Sequence, residues 1–260
     1  MPGAKQAMAV QPPIPSAFRP AVGDGLRTIY WRQFALRDVV TPEQRKVMHE
    51  LRYQVYCVEN AFEDPARHPG GLEIDRFDSH ALHALLIHRP TGVAVGTVRI
   101  VLPVPGQLSS SFALQSICSA AELSGLPLAT TGEVSRFCIE KAFHHLLHDR
   151  HDQPATTEGN ATLVGMRRVI PSMALGLIQW LVETSQARGI THWCAVMEPT
   201  LLRLLSRLGI HFDRIGELVD YHGWRQPCVI EIDRMLDCVQ SERPDVWSII
   251  AQRALDVDHA

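Results

Sequence analysis

The chain has 260 residues, 46% of them hydrophobic and 20% charged, with a formal net charge of −3. That length can bury a sizeable core, and the near-neutral balance excludes a nucleic-acid or anionic-membrane partner recruited by overall charge. No apolar run approaches the roughly 20 residues that a transmembrane helix needs. The six cysteines form no CxxC pair and no signal peptide precedes them, so reduced thiols and a cytoplasmic location are expected.

Residues 1–25 carry Pro2, Pro12, Pro13, Pro15 and Pro20 with little apolar periodicity, which predicts a flexible leader. Residues 28–36 read as a first strand. Thr41 and Pro42 supply an N-cap and a first-turn proline for a helix to Val58, along which Val47, Leu51, Val55 and Val58 recur at helical spacing. Residues 59–78, rich in Pro, Gly and charge, read as a loop. Two strand-like runs, 82–88 and 93–102, flank Arg89-Pro90-Thr91-Gly92 and predict a β-hairpin. A short helix near 112–119 leads to a strand at 133–139, and 144–160 is polar and irregular.

An amphipathic helix is predicted over 171–188, with Leu175, Ile178, Leu181 and Val182 on one side and Gly189 as its C-cap. A strand at 191–197, a helix at 199–208, strands near 211–218 and 227–232, and a helix near 245–255 follow. The mixed pattern predicts one α/β domain over 26–238 with a C-terminal helical tail over 239–260. His144, His145, His148 and His151 cluster, but no clear tetrahedral set completes a zinc site, so no metal is expected.

The most informative stretch is Thr131-Gly132-Glu133-Val134-Ser135-Arg136-Phe137-Cys138-Ile139, which sets a carboxylate and a guanidinium inside a strand that otherwise reads as buried. Buried charges are costly, so they mark chemistry or partners. In a regular strand Glu133 and Arg136 point to opposite faces. A bulge between them would turn both toward one cleft and splay the strand from its neighbour, exposing N–H groups able to stabilise an oxyanion. A carboxylate such as Glu133 could then deprotonate an incoming amine, directly or through water. Read blandly, the two are an intra-sheet ion pair. Arg52, Asp75, Asp78 and Arg99 are the upstream charges that could join them in a network, with Arg99 the first choice for an acceptor carboxylate. Cys138 has no triad-like partners and is not read as a nucleophile.

Leu51-Arg52-Tyr53-Gln54-Val55-Tyr56, then Glu73-Ile74-Asp75-Arg76-Phe77-Asp78, then Gly96-Thr97-Val98-Arg99, then Glu133-Val134-Ser135-Arg136-Phe137 resemble, in order and type, the acyl-homoserine-lactone autoinducer synthases. A closer resemblance is to the acyltransferases of the PEP-CTERM/exosortase system, whose relatives include long-chain N-acyl amino acid synthases. It adds Gly189 to Pro199, Gly209-Ile210-His211-Phe212, Tyr221-His222-Gly223, Arg225 to Cys228 and Arg243 to Trp247.

The resemblance implies a fold similar to the Gcn5-related N-acetyltransferases, a mixed twisted sheet with a V-shaped split between two central parallel strands, 131–139 and 191–197. It implies an acyl-acyl-carrier-protein donor whose phosphopantetheine lies in the split, and an apolar tunnel for the fatty chain. Carried over by residue, Glu133 and Arg136 are expected to be catalytic. Arg52, Asp75, Asp78, Arg99, Ser135, Phe137 and Cys138 are expected to bind substrate.

Two departures matter. The autoinducer synthases carry a tryptophan shortly after the first motif, where residues 57–71 have none, which favours an amino acid acceptor over S-adenosylmethionine. The glycine-rich pyrophosphate loop of coenzyme-A-using relatives is absent after Ile139, which favours a protein-borne donor over acyl-coenzyme A. Lys141, Arg150, Arg167 and Arg168 are then the expected docking residues for an acidic carrier protein. No bound cofactor is expected, and membrane contact would be peripheral, through the lipid product. A lactone synthase, a thioester hydrolase and a non-catalytic acyl-binding protein are the alternatives.

Overall fold

In a computed structural model of the protein the structure describes residues 25–141 and 173–251. The expected leader, the polar segment with its histidine cluster, and Arg150, Arg167 and Arg168 lie outside the described residues.

Where a first strand is expected, the chain forms helix α1, Leu26–Gln33, and only then strand β1, Phe34–Asp38. Tertiary packing overrides the β-propensity of Ile29-Tyr30-Trp31, because all three side chains are buried from a helix. Tyr30 Oη donates to the Met173 carbonyl (2.7 Å) and accepts from the Gly176 N–H (2.9 Å), so α1 caps the start of a later helix. That contact explains Gly176, where an added Cβ would lie 2.4 Å from the tyrosine oxygen.

Helix α2, Pro42–Tyr53, begins as predicted. Thr41 and Gln44 form a reciprocal capping box with Pro42 in the first turn. Its end is a π-helical turn, Gln54–Glu59, which carries the helix to the expected end near Val58. Strands β2, Ala81–His88, and β3, Val93–Val101, form the predicted hairpin, closed by Gly92 at φ +68. Strand β4 is Thr131–Ile139, helix α3 is Ala174–Arg188, and Gly189 ends α3 in the left-handed conformation at φ +67.

Strand β5, His192–Met197, and helix α4, Pro199–Arg207, follow. The strand expected near 211–218 is reduced to two short pairings, β6 (Asp213–Arg214) and β7 (Val219–Asp220), both against β8, Trp224–Glu231. Gly216 at φ +71 turns the chain between them. Helix α5, Ile232–Glu242, was not legible beside the strand it continues, although Ile232, Met235 and Val239 are buried at helical spacing. The expected boundary at 238/239 falls inside it. Helix α6, Pro244–Ile250, puts Val246, Ile249 and Ile250 into the same core as α3.

The sheet order is β1-β2-β3-β4-β5-β8-β6, with β7 also on β8. Every pairing is antiparallel except β4 with β5, which are parallel neighbours across α3, as parallel strands require a crossover. One face of the sheet packs on α3 with α1, α5 and α6, and α2 covers part of the other. Among the described residues no helix is long and apolar enough to cross a membrane.

Candidate active site

Strand β4 changes character at its midpoint. Thr131, Gly132 and Glu133 pair in register with His192, Trp193 and Cys194 of β5, and the pairing stops there. Toward β3 the register slips, because Arg99 faces Ser135 while Thr97 faces Cys138, leaving Arg136 and Phe137 opposite Val98 alone. This is a bulge, and Arg136 sits in it at φ +48, a conformation costly for a side chain with a Cβ. The strand expected to distort between Glu133 and Arg136 therefore does so. Ser135 shares a face with Arg99, and Arg99 and Arg136 both reach Asp75, so the bulge brings Arg136 to the face that carries Glu133.

A cavity of about 380 Å³ opens where β4 leaves β5, and it is lined by Glu133, Ser135, Arg136, Phe137 and Cys138. One side is apolar, built from Ile178 and Leu181 of α3, Trp193 and Val196 of β5, Leu201 and Leu205 of α4, and Ile210 and Phe212. The opposite side is ionic. It includes Glu63, Asp75 and Arg99.

The ionic side is the exposed margin of a network of three arginines and four carboxylates. Arg52, with no exposed side-chain surface, bonds Glu73 through Nε and Asp78 through Nη1 (2.7 Å) and Nη2 (3.2 Å). Arg99 Nη1 donates to Asp75 and to Asp78 (2.8 Å), and its Nε donates to Ser135 Oγ (3.0 Å). Among the described residues Arg99 Nη2 makes no hydrogen bond. Arg136 donates from Nη2 to Glu73 (2.9 Å) and Glu63 (3.1 Å) and lies 3.1 Å from Asp75. Burial opposes ionisation of Glu73, but Arg52 and Arg136 overcome it and hold its pKa down to about 2. Asp78, under the same opposition, is held well below the usual carboxylate range by Arg52 and Arg99.

Glu133 has the reverse electrostatics. It is buried, one carboxylate oxygen accepts from the Leu114 N–H (2.8 Å), and no arginine bonds it among the described residues. Burial raises its pKa to about 7 against the pull of that hydrogen bond and of Arg99. A carboxylate poised near neutrality on a cavity wall suits proton transfer. Burial pushes the Cys138 thiol the same way, up to about 12, far enough to keep it protonated at neutral pH.

The network thus gathers Arg52, Asp75, Asp78, Arg99 and Arg136 as anticipated, and joins them to Ser135. Phe137 lines the cavity, with its carbonyl 3.4 Å from Tyr56 Oη. Lys141 is exposed and donates to Asn60 Oδ1 (2.6 Å) and the Glu59 carbonyl (3.2 Å). Among the described residues no group of His, Cys, Asp or Glu is arranged to hold a metal.

Glu73 and Glu63 were not singled out. Glu73 had a signal, two residues before Asp75 in an acidic run, whereas Glu63 comes from an aperiodic loop. The Tyr221-His222-Gly223 turn and Arg225 complete the rim. Arg225 lies over the Phe62 ring at 4.8 Å and pairs with Glu198 (3.2 Å), and His222 Nδ1 is 3.1 Å from the Phe62 carbonyl.

Residues 51–151 match the acetyltransferase (GNAT) domain family. No curated protein matches the sequence. Among solved structures, TofI in a ternary complex with an inhibitor and MTA is 19% identical, covers 82% of this chain and 99% of its own, and aligns with a TM-score of 0.56. FeeM, an N-acyl amino acid synthase from uncultured soil microbes, is 16% identical over 81% of this chain and 97% of its own, with a TM-score of 0.53. MesI, a CoA-dependent acyl-homoserine lactone synthase, is 23% identical over 86% of this chain and 100% of its own, with a TM-score of 0.53. At such identities the likeness is one of fold, and the mixed sheet opening between β4 and β5 is a GNAT-like fold.

Proposed function

We propose that the protein is an N-acyltransferase that moves a long-chain fatty acyl group from a thioester donor to the amine of an amino acid. The observation that carries this reading is Glu133, a buried carboxylate with a pKa near 7 on the wall of the cavity where β4 and β5 part. The apolar side of the cavity suits an acyl chain and the ionic side a small charged acceptor. The fold shared with FeeM and with the lactone synthases is consistent with it.

The amine arrives as an ammonium ion, and Glu133 takes one proton to give the free amine. The nitrogen then forms a C–N bond with the thioester carbonyl carbon, and the charge gathered on oxygen is met by N–H groups of β4 beyond the last β5 pairing. The C–S bond breaks, and the departing thiolate takes the second proton from nitrogen. Arg136 and Arg99 lie on the acceptor side, and Arg99 Nη2, which bonds nothing among the described residues, receives the acceptor carboxylate. The donor is proposed to be acyl-acyl-carrier protein, docking through basic residues for which Lys141, Arg150, Arg167 and Arg168 are the candidates by sequence.

The test is to incubate the full chain with long-chain acyl-carrier protein or acyl-coenzyme A, pooled amino acids and S-adenosylmethionine, and weigh the products. An N-acyl amino acid supports the proposal, and the faster donor names the carrier. A lactone, free fatty acid alone, or no product would replace it with a lactone synthase, a hydrolase or a binding protein.

A further inference from the structure

Glu133 takes its hydrogen bond from a loop rather than from its own sheet. The Leu114 N–H that meets Oε2 (2.8 Å) lies in a single 3₁₀ turn, Ala113–Ser116, and Oε1 bonds nothing among the described residues. Whatever fixes that turn therefore decides which oxygen of Glu133 is spent and which is left on the cavity wall.

Gln115 reaches both ways from this turn. Its Oε1 accepts from the Phe112 N–H (3.0 Å) and its Nε2 donates to the Leu108 carbonyl (2.7 Å), so one amide ties the head of the turn to the segment before it. The same segment is pinned at Ser111, whose Oγ accepts from the Val104 N–H (2.9 Å) and donates to the Gln107 carbonyl (3.0 Å). Phe112, Ala113 and Leu114 are buried in one apolar cluster with Phe77 and Val101. Gln115 is only half-buried and stands outside the described cavity lining, so it acts on the cavity through the turn alone.

We infer that Gln115 is a positioning residue for the proposed base: by clamping the Ala113–Ser116 turn it holds the Leu114 N–H on Glu133 Oε2 and leaves Oε1 to take the proton. This rests on the N-acyltransferase reading for the fate of the proton and adds to it the residue that aims the base. A hydrogen bond to a carboxylate also favours its charged form, so the clamp opposes the effect of burial on Glu133. The other charges facing Glu133 come from different elements. Arg99 on β3 and Arg136 on β4 favour the ionised form, and Asp75 opposes it. Burial raises the Cys194 thiol on β5 and the Tyr221 hydroxyl at the rim, so both are neutral near pH 7. Among these contributions only the Leu114 bond depends on Gln115.

The test is to titrate the side-chain carboxyl of Glu133 by carbon-13 NMR in the full chain, with Glu133→Gln identifying the signal. Gln115→Leu, which keeps the bulk and loses both bonds, is expected to raise the midpoint by about one pH unit, the worth of a hydrogen bond to a charged group. Ser116→Ala deletes a bond of 2.7 Å at the far end of the same turn and should leave the midpoint where it is. The titration reads the folded molecules, so a lower melting temperature does not mask the result. A midpoint indifferent to Gln115→Leu, or moved as far by Ser116→Ala, would overturn the inference.

The pH profile of amide formation separates this inference from the reading it rests on. If both hold, the apparent pKa of kcat/KM moves up with the NMR midpoint in Gln115→Leu while the acceptor KM stays the same. Amide formed with an unmoved profile and midpoint sinks the clamp and leaves the N-acyltransferase. A moved midpoint with no amide from any acceptor sinks the N-acyltransferase and leaves Gln115 holding Glu133.

Discussion

The two ends of the charge network obey different rules. At the inner end Arg52 is wholly buried and is met by Glu73 and Asp78, which their arginines hold ionised against the opposing effect of burial. At the outer end Arg136 and Asp75 keep 17% and 22% of their side-chain surfaces exposed and line the cavity. Just past this margin no arginine bonds Glu133 among the described residues, and burial outweighs the pull of Arg99 on its proton. Carboxylates of the same type are thus held ionised where arginines bond them and left near neutrality where none does.

The largest expected effect breaks the inner end. Arg52→Ala leaves Glu73 to Arg136 alone and Asp78 to Arg99 alone, opens a buried void, and should cost about 3–5 kcal/mol, read as a loss of unfolding free energy in urea. A variant that melts like the unaltered protein would show the inner network to be dispensable.

Next in size, Glu133→Gln removes the base while keeping shape and the Leu114 hydrogen bond. It should lower kcat/KM about 10²–10⁴-fold with little change in stability. A retained rate would exclude Glu133 from proton transfer.

The pH dependence sharpens the contrast, because the two ends titrate with opposite sign. Glu133 has a folded pKa raised from 4.5 to about 7, so the folded state holds its proton longer and stability falls as pH rises between those values. Glu73 and Asp78 have depressed folded values, so their stabilisation is full above about pH 4.5 and is lost as pH falls through them. Glu133→Gln should flatten the first slope and leave the second, as a pH series of denaturant midpoints would show. The same group predicts that kcat/KM rises to a plateau with an apparent pKa near 7.

The smallest effect belongs to the apolar wall. Leu201→Trp should narrow the cavity and shorten the longest acyl chain accepted, moving its kcat/KM by about 10–200-fold against a shorter homologue with little effect on the shorter one.

Much of this was legible in the chain. Thr41-Pro42, Arg89 to Gly92 and Gly189 fixed a helix start, a hairpin and a helix end, because capping and left-handed backbone are local demands that particular residues meet. The alternation rule also forced a bulge if Glu133 and Arg136 were to share a cleft, and the register slip opposite Val98 meets that condition. Residues 28–36 were misread because aromatic and β-branched residues favour strands in isolation, whereas here Tyr30 is needed at the start of α3, far along the chain. Helix α5 was missed because its first turn continues a strand without a break.

The sequence alone determined which charges sit among apolar neighbours and must therefore find partners. Only the tertiary structure decided how those partners are shared out: Glu73 between Arg52 and Arg136, Asp78 between Arg52 and Arg99, and Glu133 with neither. The reason is physical. Glu73 and Glu133 are both buried, so arginine pairing, not residue type or burial, sets whether a carboxylate is held ionised or left near neutrality, and that pairing comes from segments distant in the chain meeting where β4 parts from β5.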